Sequence, residues 1–400
     1  MGSFQPAFSF APIRGLRAAE RARGKHLTKS MRHFRIYRTF RDDRLKAGWR
    51  ELFLNGDYCV QSSYEWMAAW WDHFSKKSRE LLIVTIEEEG AIVGIGPFMI
   101  EHSVFFSQLK FVGSGLTDYH EILVGSNCGV PTISLIMEHL IKNRYADIIN
   151  LEQVSDRSSL AQYLKDRGPY KKRAMVRCLK ADLSFSCWEE YLQSLGRNLR
   201  RDWTKKLRHL ADMGDLKFIK LATLPEKRDW LDRLLSLHAR RWDREEQVSK
   251  FGAMRTKAFL VRIVEEIHEV AIYVLQLDDR IVAYRMGFIH DHTYYDWNTS
   301  HDPDLSSQSV GKVLMGLVIK DLIACRVKRI DLMRGDYDWK KKWVANAQPS
   351  VNYQFLAGSS PVRGYLGERF YLEWKWWLKK QSVGLLRLPI IQKIMIKAKY

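Results

Sequence analysis

The segment from Val274 to Trp343 constrains the chain more than any other. Val274–Leu277 reads as a strand, Asp278-Asp279-Arg280 as a turn, and Ile281–Ile289 as the returning strand. A further strand, Thr293–Asn298, leads to a polar loop, Gln308-Ser309-Val310-Gly311-Lys312. Val313, Leu314, Leu317, Val318 and Leu322 then recur at the spacing of a helix face packed on a sheet. The strand Arg329–Met333 and the turn Arg334-Gly335-Asp336 close the segment. Strand, loop and helix in this order bring unpaired backbone N–H groups to one corner. The helix dipole adds about half a positive charge there, a ready site for phosphate. Gly311 permits close approach and Lys312 adds charge.

Gln-x-x-Gly-x in this position resembles the pyrophosphate loop of GNAT-type acyltransferases. Asp302-Pro303, Ser309–Leu314, Asp331–Asp336, Lys340 and Trp343 extend the likeness to the CelD/BcsL-type acyltransferases, relatives of the Fem-type peptidyl transferases. The resemblance runs from about Phe34 to Phe355 and is strongest in the C-terminal half. Val310 stands where that family commonly has proline. The resemblance implies a mixed α/β sheet of GNAT type, with acetyl-CoA or another acyl-CoA held by Gln308, Ser309, Val310, Gly311 and Lys312.

An order repeats along the chain. The hairpin Leu81–Ile86 and Ala91–Ile100, a strand Leu109–Val112, a helix Val130–Arg144 and a strand Asp147–Leu151 match the later segment. Two copies of one α/β unit are expected, spanning 34–180 and 181–358. The copies are unequal, for the first has Asn127-Cys128-Gly129-Val130-Pro131 where the second has its loop. Pro131 lacks an N–H and no basic residue is present, so only the second copy is expected to hold the cofactor.

Between the copies, Trp188–Met213 reads as a basic helix with Arg197, Arg200, Arg201, Lys205, Lys206 and Arg208. It is either a solvated face or a wall of positive potential for an anionic ligand. Net charge is +19, which favours phosphates, nucleic acid or an anionic membrane as partners. Residues 1–33 form a basic arm. The tail, 359–400, mixes Trp374, Trp376 and Trp377 with lysines and suits either a membrane interface or docking on its own domain. Five scattered cysteines without a C-x-x-C pair suggest reduced thiols, no metal and a cytoplasmic setting, with the tail able to rest on the inner membrane face.

In the GNAT-type reaction that the resemblance implies, an amine attacks a thioester directly. Tyr294 and Asp296, placed on one strand face with Asn298, and Asp336 beyond the last core strand are the candidate catalytic groups. Asp118, Tyr119 and His120, at the end of a glycine-rich stretch, are candidate acceptor contacts facing a cleft between the copies. Arg334, Lys340 and Trp343 are candidates at a strand end, where α/β ligands bind. By analogy the acceptor is an amino sugar or a polysaccharide precursor. Fem-type aminoacyl transfer from charged tRNA and a non-catalytic polyanion- or membrane-binding role are the alternatives. No Gly-x-Ser-x-Gly, His-Glu-x-x-His or Walker loop occurs.

Overall fold

A computed structural model describes residues 32–125, 129–166, 170–244, 254–344 and 347–358. The N-terminal arm and the tail lie outside them, apart from Arg32 and from His33, which already opens the first strand. The first half holds β1 (His33–Tyr37), α1 (Asp43–Leu54), α2 (Tyr64–Phe74), β2 (Arg79–Glu88), β3 (Ala91–His102), β4 (Ser107–Phe111), β5 (Leu123–Val124), α3 (Gly129–Asn143), β6 (Ile148–Ser155), α4 (Ser159–Asp166) and β7 (Lys171–Asp182). The second half holds α5 (Trp188–Ser194), α6 (Arg197–Met213), β8 (Leu216–Leu221), α7 (Leu224–Arg244), α8 (Met254–Glu266), β9 (Val270–Leu277), β10 (Arg280–His290), β11 (Thr293–His301), α9 (Val310–Ala324), β12 (Arg329–Arg334), α10 (Asp338–Trp343) and β13 (Gln348–Gly358).

All thirteen strands of the described residues join one mixed α/β sheet, in the order β1-β2-β3-β4-β6-β13-β7-β12-β11-β10-β9-β8, with β5 beside β3. The order is symmetric about the central pair, β13 and β7, which run antiparallel. β1 to β4 and β6 on one side answer β8 to β11 and β12 on the other. The repeat seen in the sequence is therefore an internal pseudo-two-fold. Each half gives a strand to the other: β7 pairs with β12, and β13 pairs with β6. β7, β8 and β13 had no reading in the sequence.

Local chemistry sets the element ends. Asp42 caps α1 by accepting the Leu45 N–H at 2.8 Å, and Ser63 caps α2 from Trp66. The basic stretch after Trp188 is not one helix, as its sequence predicts. It breaks at Leu195-Gly196, where both residues have extended backbone, giving α5 and α6. One sheet face carries α1, α2, α7 and α8 over a core shared by both halves, with Trp66 edge-on to Phe259 and to Trp297. On the other face α3 and α4 cover the first half, while α5, α6 and α9 cover the second. α9 is buried on nearly every side because α6 lies across it. Gly316 makes that packing possible, since a Cβ there would stand 2.2 Å from Trp203 Nε1. That nitrogen donates to the Val313 carbonyl at 3.2 Å.

Candidate active site

The parallel strands β11 and β12 stay paired only from Thr293/Arg329 to Tyr295/Asp331. Beyond that point they part, and the rest of β11 is paired only with β10. On the β10 side Met286 faces Asn298 and Phe288 faces Tyr295, so Asp296 and Trp297 together oppose the single residue Gly287. This is a β-bulge at the mouth of the opening. Only glycine fits opposite it, because a Cβ on residue 287 would lie 2.1 Å from the Tyr295 carbonyl oxygen. The bulge also corrects the predicted face. Tyr294 and Asp296 remain together, but Asn298 is turned to the opposite side, where it accepts the Tyr284 hydroxyl at 3.0 Å.

β11 ends beside the N-terminus of α9. Ser309 occupies the left-handed region (φ 58°, ψ 38°) and its carbonyl receives the N–H groups of Lys312 and Val313. Among the described residues, the N–H groups of Val310 and Gly311 have no acceptor. Nothing approaches a Cβ on Gly311 closer than 3.9 Å, the distance to His301. Val310 is buried, whereas Gln308, Ser309, Gly311 and Lys312 are partly open. A bare helix end with open space before it fits a diphosphate. Lys312 is paired with Asp202 of α6, and Lys206 donates to the Ser307 carbonyl at 2.8 Å, so the basic helix flanks the same corner. Among the described residues, Arg197, Arg200, Arg201, Lys205 and Arg208 have no acidic partner.

Behind the bulge, Asp296 is buried in an ion pair with Arg285, and the fully buried Tyr294 hydroxyl donates to its Oδ1 at 3.3 Å. Burial, with the Asp296 charge, holds that hydroxyl well above the ordinary tyrosine range. The Arg285 guanidinium lies 5.2 Å over the Trp339 ring. Lys340 is buried, donating to the Leu332 carbonyl at 2.5 Å and the Arg334 carbonyl at 2.7 Å. Desolvation pushes its amine down, against the pull of Asp296 and Asp118. Both bonds cross the end of β12, so Lys340 braces the turn that presents Arg334.

The two halves meet here. Asp118 is paired with Arg334, its carbonyl accepts Asn352 Nδ2 at 2.7 Å, and its N–H donates to Gln61 Oε1 at 2.7 Å. The Tyr119 hydroxyl donates to Asp331 at 3.0 Å, and Lys180 lies 3.4 Å from the other oxygen of that carboxylate. His120 makes no hydrogen bond to this cluster among the described residues. It is wholly buried, stacked on Phe111 at 5.0 Å, and its Nδ1 is 2.9 Å from the Glu152 carbonyl oxygen. Desolvation pushes its imidazole down to about 4. Trp343 is a core residue whose carbonyl accepts the Tyr191 hydroxyl at 2.5 Å. Asp336 stands half-exposed, 3.8 Å from Arg177 and 3.7 Å from Lys341. The structure thus gathers Asp118, Tyr119, Tyr294, Asp296, Arg334 and Lys340 around the strand opening, and sets His120 and Trp343 into cores.

Lys180, Cys59 and Glu121 were not singled out in the sequence. They line a cavity of about 720 Å³ between the halves, together with Tyr119 and Tyr295. Burial lifts the Glu121 carboxyl to about 7, Lys180 opposing and Asp57 adding to the effect. Among the described residues no group of three or more His, Cys, Asp or Glu side chains could hold a metal, and no helix is long and apolar enough to cross a membrane.

Residues 197–341, which contain α6, β11, α9 and β12, match the family model described as an acetyltransferase (GNAT) domain. The fold is similar to that of FemX (TM-score 0.57, 10% identity, covering 81% of this chain and 96% of that one). It is also similar to the C-terminal domain of a putative lysylphosphatidylglycerol synthetase from Agrobacterium fabrum (0.53, 12%, 82% and 96%). L-PGS from Bacillus licheniformis is a third such structure (0.51, 10%, 90% and 98%). No curated protein sequence matches. The chain carries an acetyltransferase (GNAT) domain and is an acyltransferase, built as two GNAT-like halves sharing one mixed sheet.

Proposed function

We propose that the chain transfers an acetyl or longer acyl group from an acyl-coenzyme A to an amine, borne by an amino sugar or a polysaccharide or cell-envelope precursor. The observation that carries this reading is the opening between β11 and β12, set directly before the unsatisfied Val310 and Gly311 N–H groups. When bound, acyl-coenzyme A supplies an activated thioester. Within Gln308–Lys312 the free N–H groups of Val310 and Gly311 bind its diphosphate, and Lys312 exchanges Asp202 for phosphate. The amides of the bulge at Asp296-Trp297 are placed to polarise a carbonyl oxygen lying in the opening. Tyr294 is the proton donor nearest the bulge, oriented by Asp296, which Arg285 holds in place through a buried ion pair. Arg334 and Lys340 shape the far wall, with Asp118 and Tyr119 facing them. Asp336, half-exposed beyond β12, belongs to the rim.

A second reading, Fem-type transfer from charged tRNA, is favoured by the unpartnered arginines and lysines of α6, which suit a polyanion. Calorimetric titration separates the two. Acetyl-CoA binding that is unaffected by tRNA supports the first; tRNA binding without acetyl-CoA binding supports the second.

A further inference from the structure

The pseudo-two-fold makes a second cleft. In the first half β4 and β6 pair in parallel at only two positions, Gln108/Ile148 and Leu109/Ile149, and then part as β11 and β12 do. The cavity of about 720 Å³ lies past the ends of these strands, lined by Tyr119, Glu121 and Ile122 after β4 and by Ser155 at the end of β6, and Gly129 at the start of α3 lines it as the counterpart of Gly311. Its floor is in the second half. Tyr295, 4% exposed, lines it, and among the described residues the Tyr295 hydroxyl has no hydrogen-bond partner. Tyr295 is also the last β11 residue paired with β12 and immediately precedes the bulge. The inner end of the first cleft therefore reaches the place where the second one opens.

The charged lining is mostly satisfied. Lys180 faces Asp331, Arg329 holds Asp291 at 2.8 Å, Arg157 donates to Gln348 at 3.2 Å, and Asp182 receives Ser184. Asp57 and Glu121 remain, without an ion-pair partner among the described residues. We infer that this cavity is the acceptor's pocket, with Asp57 and Glu121 holding the ammonium group of an amino sugar and the Tyr295 hydroxyl meeting its inner end. Tyrosine faces beside serine, asparagine and glutamine side chains suit a sugar ring and its hydroxyls, and the volume is that of an ordinary small-molecule site.

This inference rests on the proposed acyl transfer to an amine, and the two fail separately. Glucosamine, N-acetylglucosamine and acetyl-CoA are titrated calorimetrically into the full chain at pH 8, and into Asp57→Asn, Glu121→Gln and Gly129→Phe. The last variant fills the cavity from a position where nothing lies within 4 Å of an added Cβ, so its fold is retained. Glucosamine should bind at least tenfold more tightly than N-acetylglucosamine, and each variant should lose at least tenfold for glucosamine while keeping acetyl-CoA. Absence of glucosamine binding, equal binding of both sugars, or variants that bind glucosamine like the wild type would overturn the assignment. Failure of acetyl-CoA alone would strike the donor reading and leave the pocket standing.

Discussion

Tyr119 and Asp331 are 212 positions apart in sequence, and the hydroxyl of one donates to the carboxylate of the other at 3.0 Å. Asp331 is fully buried, and the same oxygen accepts the Met333 N–H at 2.7 Å while Lys180 lies near the other. Met333 has a left-handed backbone (φ 53°), so the carboxylate holds the end of β12 in an unusual shape. Tyr119→Phe should destabilise the fold by about 1–2 kcal/mol, as expected when a charge-assisted bond in a buried site is lost. Urea unfolding measures this, and the variant should lose more activity than stability, because the strand opening relaxes.

Gly287 faces the two bulged residues with no room for a side chain. Gly287→Ala should cost about 1–3 kcal/mol by overpacking. If the bulge amides act on the substrate carbonyl, kcat should fall by about tenfold or more with KM for acyl-CoA nearly unchanged. Equal loss in both would assign Gly287 to packing alone.

Lys312 is held by Asp202 across the start of α9. Removing the competing carboxylate leaves the ammonium free for phosphate. Asp202→Asn should therefore tighten coenzyme A binding by about three- to fivefold, the effect of one partly exposed charge, and Lys312→Met should weaken it by a similar factor. Calorimetry at low salt reads both, and the difference should shrink as salt is raised.

Acid should act through His120. Its folded imidazole is pushed down to about 4 from an ordinary 6.5, so between these values the unfolded chain binds the proton and the folded chain does not. Its contribution is fully present above pH 6.5 and is lost as pH falls toward 4, amounting to about 2–3 kcal/mol at pH 4.5. The buried His238, also pushed down to about 4, works in the same sense; Glu121 works in the opposite one. The loss of stability between pH 7 and 4.5 should be smaller in His120→Gln than in the wild type by that amount.

Much of the fold was legible because it is local. The alternating strands on either side of Asp278-Asp279-Arg280, the apolar stripe Val313–Leu322 and its earlier counterpart at Val130–Arg144 gave both copies of the repeat. The exchange of β7 and β13 was not, since these strands pair with partners from the other half and Lys171–Arg177 is rich in basic residues and mostly exposed. The loop at Gly311 announced itself through strand, glycine and helix. The bulge did not: nothing in Tyr294–Asn298 marks it, and its signature is a glycine on the neighbouring strand. Glu121, Lys180 and Tyr295 escaped notice for a related reason. Each is unremarkable in its own segment and acquires meaning only where the halves meet.

Acetyl-CoA binding to the wild type and to Gly311→Glu tests the central claim most directly. In a thermal unfolding series the wild type should rise with ligand, by about 2.7 kcal/mol of stabilisation at a hundred times Kd. Gly311→Glu should unfold at the wild-type temperature without ligand and fail to respond to it, because a carboxylate then stands where the diphosphate must approach. A wild type indifferent to millimolar acetyl-CoA, or a variant that responds equally, would contradict the account.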